Sequence, residues 1–129
     1  MLAPCILVVD DEALIHLMLE ADLTDAGFTV IVENSVDDAL ARLEASGSNC
    51  QALVTDINLG KDRSGWDIAR HARELNPHIP VVYMTGDSAQ DWPIQGVPGS
   101  VLVCKPFASV QIVNAVAQLI TDTPATPPA

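Results

Sequence analysis

Five short, almost purely apolar runs dominate this sequence, and most of them break off at a polar or charged residue. Ile6-Leu7-Val8-Val9 runs into Asp10, Ala52-Leu53-Val54 into Thr55 and Asp56, and Pro80 to Met84 into Thr85 and Gly86. Val101-Leu102-Val103 runs into Cys104 and Lys105, and Phe28 to Val32 completes the set. Apolar runs without alternation read as strands buried on both faces. Between them, apolar residues recur at helical spacing. Leu14, Leu17, Met18 and Ala21 mark a first helix that Gly27 ends. Val36, Ala39, Leu40 and Leu43 mark a second, with Ser35 as its N-cap. Ile68, Ala69, Ala72 and Leu75 mark a third, closed by Asn76-Pro77. Ile112, Val113, Val116, Leu119 and Ile120 mark the last, capped near Ser109. From Asp87 to Ser100, Pro93, Gly96, Pro98 and Gly99 leave room only for a short helix ahead of Pro93.

Strictly alternating strands and helices, with strands of the doubly buried kind, imply a parallel sheet covered on both faces. Right-handed crossovers favour the flavodoxin-like, doubly wound (βα)5 sandwich with strand order 2-1-3-4-5 and an irregular or short fourth helix. A chain of 129 residues is one domain's length. The domain is expected over residues 4–120, followed by a disordered Pro/Thr-rich tail over 121–129.

Charge narrows the function. Six Lys and Arg stand against 17 Asp and Glu, a net charge of −11. That balance disfavours nucleic acid and anionic membrane surfaces, both of which need clustered basic residues. The apolar start carries no basic residue and runs straight into acids, unlike a secretory signal, and no apolar stretch reaches membrane-spanning length. A cytoplasmic protein is expected. Cys5, Cys50 and Cys104 are too far apart for a zinc motif and odd in number, so free thiols are expected.

In sheets of this type, ligands bind outside the carboxyl ends of the strands. There the order 2-1-3-4-5 gathers Asp10, Asp11 and Glu12, then Asp56, Thr85 with Gly86, and Lys105. Clustered carboxylates repel one another, and a hard divalent cation such as Mg²⁺ relieves them. Asp11 and Asp56 are candidate direct ligands, with Asp10 acting through water. Lys105 suits a phosphate oxygen, and the Thr85 hydroxyl and Gly86 backbone N–H can each donate to one. Such a set suits phosphoryl transfer, with a carboxylate as nucleophile.

Val8-Val9-Asp10-Asp11-Glu12, Thr55-Asp56, Met84-Thr85-Gly86 and Lys105-Pro106-Phe107, in this order and each at a strand end, resemble the receiver domain of two-component response regulators. The resemblance spans residues 4–120. It implies Asp56 as phospho-acceptor, Asp10 and Asp11 as the Mg²⁺-holding pair, and the backbone carbonyl of Asn58 as a further ligand. It implies Thr85 as switch hydroxyl, Lys105 as phosphate contact and a cis bond before Pro106. The donor it implies is a histidine kinase or a histidine phosphotransfer protein. The receiver would catalyse its own phosphorylation and dephosphorylation, without being an enzyme in the ordinary sense.

Three features depart from the family's common form. The Asn58–Gly65 loop lacks Met-Pro and is about one residue longer. Leu102 stands where many receivers have Tyr or Phe three residues before the lysine. The fourth helix is short. The expected function is a single-domain response regulator that signals to an unknown downstream protein by protein–protein contact, with no nucleic-acid or membrane partner. The alternatives are an interaction module independent of phosphorylation, or a small Mg²⁺-dependent phosphatase using an aspartyl nucleophile. Such phosphatases carry a second Asp where this chain has Asn58.

Overall fold

A computed structural model describes residues 5–46, 49–59, 64–87 and 89–122. The five strands are β1 (Cys5–Val9), β2 (Thr29–Glu33), β3 (Cys50–Asp56), β4 (Val81–Thr85) and β5 (Val101–Cys104). The helices are α1 (Ala13–Asp25), α2 (Val36–Ser46), α3 (Gly65–Leu75), α4 (Trp92–Gln95) and α5 (Ser109–Asp122). All pairings are parallel, and the order is β2-β1-β3-β4-β5. This is the flavodoxin-like arrangement expected from the alternation of runs. The central strands β1, β3 and β4 have almost entirely buried residues, as a sheet covered on both faces requires.

Two cores flank the sheet. Val36, Ala39 and Leu43 of α2 and Ile68, Ala69 and Ala72 of α3 pack on one face with Leu7, Val9, Leu53 and Tyr83. Leu19 and Leu23 of α1 and Ile112 and Val116 of α5 pack on the other with Ile6, Val8, Val54 and Met84. Cys5 and Cys50 are buried free thiols, and Cys104 is an exposed one. Burial, reinforced by neighbouring Cys5, pushes the Cys50 thiol up to about 12, which keeps it protonated and unreactive.

Local chemistry sets the element ends. Gly27 adopts φ +98°, and Phe28 N–H reaches back to the Leu23 carbonyl, so α1 stops where a left-handed residue is available. The Ser35 hydroxyl accepts from Asp38 N–H at 3.2 Å, as an N-cap does. Before α3, Ser64 Oγ accepts from Trp66 N–H while Asp67 accepts from Ser64 N–H, a reciprocal capping box.

The structure corrects the helix expected ahead of Pro93 and adds detail to three others. Leu14, Leu17 and Met18 mark α1 as a helix but are not its buried face: Leu14 is 80% exposed and Leu17 64%, while Leu19 and Leu23 are fully buried. Leu75 likewise sits 42% exposed at the end of α3. Pro93 does not close the fourth helix. A 3₁₀ turn over Ala89–Asp91 precedes it, and the single turn of α4 begins around it, where the missing N–H of proline costs no helical bond. Helix α5 runs to Asp122, two residues past the expected domain end. Residues 123–129 of the expected tail, and 60–63 of the expected loop, lie outside the described residues.

Candidate functional site

Each site residue sits where a strand leaves the core. Register pairs Val9 with Glu33 and with Thr55, Asp56 with Met84, and Thr85 with Cys104. The C-terminal ends of β1, β3, β4 and β5 therefore lie side by side. Lys105 N–H extends the ladder by donating to the Thr85 carbonyl at 2.7 Å, and the following Lys105–Pro106 bond is cis.

Asp10 is completely buried and Asp56 is 5% exposed. Asp10 Oδ1 accepts from Glu12 N–H at 2.7 Å. The Lys105 ammonium meets Glu12 Oε1 at 3.1 Å, Asp56 Oδ2 at 3.2 Å and Asp10 Oδ2 at 3.5 Å. One carboxylate oxygen from each of Asp10, Asp11, Glu12 and Asp56 falls within 4.8 Å of the others. One lysine thus faces a group of four acids.

The electrostatics follow. Burial raises the Asp56 carboxyl above its ordinary value, the nearby Asp10 charge raises it further, and Lys105 only partly offsets the two. Burial likewise raises Asp10, against the pull of the Glu12 N–H and Lys105. Burial alone would lower the Lys105 ammonium, yet its hydrogen bond to Glu12 and the charges of Asp56 and Asp10 hold it above its ordinary value. The site is under-supplied with positive charge. A donor set made wholly of carboxylate oxygen is what a hard divalent ion such as Mg²⁺ takes, so these residues fit that ion.

The remaining expected residues surround this centre. Thr85 is completely buried, and its hydroxyl accepts from Asp87 N–H at 3.2 Å. Gly86 follows β4 in open space, with nothing within 4 Å of where a side chain would start. Asn58 is exposed, and its side chain donates to Asp87 Oδ1 at 2.7 Å, bridging the loops after β3 and β4. Gly65 brings α3 so close to the Asp56 carbonyl that any Cβ would overlap that oxygen. The chain can therefore pass over the end of β3 only as glycine.

Three residues play parts that the sequence reading did not assign. Glu12, gathered there with Asp10 and Asp11 but given no role, belongs to the acidic group. Asp87 was visible only as a polar residue beyond the strand end. Tyr83 is the third. It is the register partner of Leu102 and fully buried. Its ring meets Trp66 edge-on at 4.7 Å, and its hydroxyl accepts from Val97 N–H at 3.1 Å. The β5 position lacks an aromatic, as the sequence says, but an aromatic stands directly across from it on β4.

Comparison with known proteins agrees with this geometry. Residues 6–117 match the family described as response regulator receiver domain. The chain is 43% identical to a response regulator receiver protein from Sinorhizobium medicae, with a TM-score of 0.87 covering 93% of this chain and 96% of that one. A receiver domain protein from Clostridium thermocellum gives 25% identity and a TM-score of 0.82, covering 93% of this chain and 95% of that one. The probable transcriptional regulatory protein TcrX of Mycobacterium tuberculosis is 30% identical over 120 residues, 92% of this chain and 50% of that protein. The C4-dicarboxylate transport transcriptional regulatory protein DctD of Rhizobium meliloti is 28% identical, over 88% of this chain and 24% of that protein. The chain thus spans half or less of these two curated relatives. Among the described residues no helix is long and apolar enough to cross a membrane. Receiver domains are signalling domains with an acidic pocket for Mg²⁺, phosphorylated by histidine kinases or phosphotransfer proteins. With the fold, the acidic pocket and the match across residues 6–117 in agreement, this chain belongs to the response regulator receiver domain family.

Proposed function

We propose that this chain accepts a phosphoryl group on Asp56, in the cytoplasm, from the phosphohistidine of a kinase or phosphotransfer protein, and passes the signal on by protein–protein contact. The observation that carries this reading is the placement of Asp56. Its carboxylate is nearly buried at a strand end, 3.2 Å from the Lys105 ammonium and grouped with three further acids.

The chemistry is an in-line displacement. An Asp56 carboxylate oxygen attacks phosphorus, the P–N bond to the donor imidazole breaks, and the imidazole nitrogen leaves with the electron pair and takes a proton. Lys105 offsets charge on the phosphoryl oxygens, and the Thr85 hydroxyl and Gly86 N–H lie at the neighbouring strand end to donate to them. Asp10, Asp11, Asp56 and the Asn58 backbone carbonyl are the proposed Mg²⁺ ligands; the bound ion supplies neutralising charge to the transferred group.

The surface beside the site suits a protein donor. Leu14, Leu17 and Met18 line the outer side of α1. They adjoin a groove of about 380 Å³ formed by Glu12, Ile15, Met18, Lys105, Pro106 and Phe107. An exposed apolar stripe next to the reacting carboxylate supports docking of a partner's apolar helix face.

Incubation with Mg²⁺ and acetyl phosphate tests the reading by intact mass. The wild type should gain one phosphoryl group and Asp56→Asn none. No gain in the wild type, with acetyl phosphate or with sensor kinases, would turn the assignment toward a phosphorylation-independent interaction module.

A further inference from the structure

Lys105 is fully engaged before any phosphoryl group arrives. An ammonium has three N–H donors, and here it faces three carboxylates: Glu12, Asp56 and Asp10. To contact a phosphoryl oxygen, Lys105 must let one of them go. The three are not equivalent. The Asp10 side chain has no exposure, its other oxygen already holds the Glu12 N–H, and moving it to water would open the core. The Asp56 side chain is 7% exposed and is the reacting group itself. The Glu12 side chain is 59% exposed and on a flexible stem at the mouth of the site, where it can rotate into water at little cost.

We infer that Glu12 is a positioning residue that acts through Lys105: it holds the ammonium in the resting site and is the partner displaced when a phosphoryl group enters. This inference rests on the phospho-acceptor reading above and adds a regulator to that site. Two consequences follow. Glu12 competes with the phosphoryl group for Lys105, so it slows phosphorylation by an anionic donor. Its effect must also disappear when Lys105 is absent.

The alternative for Glu12 is direct metal ligation, since its oxygen lies within 4.8 Å of the other acids. The two roles have opposite signs. Loss of a competitor speeds labelling, whereas loss of a ligand slows it.

The test follows labelling by acetyl phosphate, in which Asp56 attacks phosphorus and acetate leaves with the electron pair. Initial rates at subsaturating donor are compared, with Mg²⁺ fixed, for the wild type, Glu12→Gln, Glu20→Gln, Lys105→Met and the Glu12→Gln/Lys105→Met pair. Glu20, exposed on α1, controls for the loss of one charge. An exposed ion pair of this kind predicts Glu12→Gln about two- to fivefold faster than wild type. Glu20→Gln should match wild type. In the Lys105→Met background, which labels more slowly throughout, Glu12→Gln should change nothing.

An unchanged rate in Glu12→Gln overturns the inference. So does a drop, which would make Glu12 a ligand, or an acceleration that persists without Lys105, which would make it a mere field effect. Absence of labelling in the wild type defeats the phospho-acceptor reading instead, so the two failures are distinct.

Discussion

Two segments leave the site end of the sheet, and they are built in opposite ways. Helix α1 has thirteen residues, mostly apolar on every side, and its N-cap residue Glu12 makes no side-chain capping bond. The His16 Nε2 within it is buried with no hydrogen-bond partner among the described residues. Only the Leu19 and Leu23 side is covered. The Trp92–Ser100 segment contains a single helical turn, yet side chains hold it at many points. Tyr83 takes the Val97 N–H, and Ser100 Oγ joins Trp92 Nε1 at 2.9 Å to the Val97 carbonyl at 2.7 Å. Arg73 reaches the Pro98 carbonyl at 2.6 Å, and Arg70 bonds Gln95. One segment has more apolar surface than its own core uses; the other substitutes specific polar bonds for helix. The first is suited to receiving a partner, and the second to keeping a fixed shape beside β4.

The larger of the expected effects tests the surplus on α1. Replacing Leu14 and Leu17 together by Gln keeps good helix formers and removes the exposed apolar stripe. Stability should stay within about 0.5 kcal/mol per site, as for ordinary surface changes. Labelling by acetyl phosphate should be unaltered. Phosphotransfer from a phosphohistidine donor protein should fall at least about tenfold, the scale of an interface anchor lost. Equal transfer by both proteins would mean that α1 is not the docking face.

Tyr83→Phe tests the other segment. It removes the acceptor of a buried N–H at Val97 and should cost about 1–3 kcal/mol in urea unfolding. Acetyl phosphate labelling should persist, because Asp56 and Lys105 do not touch Tyr83. A cost below about 0.5 kcal/mol, in the range of a surface change, would mean that the segment is held by packing and the arginines rather than by this bond.

The same contrast shows what the sequence makes legible. The site acids and Lys105 were readable because an apolar run must end at the first residue that cannot stay in the core. Parallel topology then collects those ends. The inner face of α1 was not readable, because Leu14, Leu17 and Met18 have the same spacing and polarity as a core stripe. Hydropathy alone cannot tell a covered face from one left open. Tyr83 was counted as strand, and its role depends on facing Leu102 in register and on where the loop places Val97. Both are tertiary facts. Glu12 was seen as part of the acidic run, but its hold on Lys105 depends on β5 ending beside β1, which spacing along the chain does not encode.

The smallest effect concerns the charge imbalance beneath both segments. Asp56 and Asp10 titrate above their ordinary value because of burial first. Between the unfolded and folded pKa values the native state therefore binds more protons than the unfolded one. By linkage, these two groups contribute stability that falls as pH rises through that window. At neutral pH, with no metal, ionised Asp56 is a net penalty. Asp56→Asn should then be more stable than wild type, by the smallest margin of the three effects. Chemical unfolding from neutral pH down toward the ordinary aspartate range should show this advantage shrinking, as wild-type Asp56 takes up its proton. Mg²⁺ should act in the opposite sense. It favours the folded wild type, whose carboxylates are all present, and should stabilise Asp56→Asn less. An advantage for Asp56→Asn that did not change with pH would point to packing of the amide, not relief of charge, and the acidic centre would then be less strained than its burial requires.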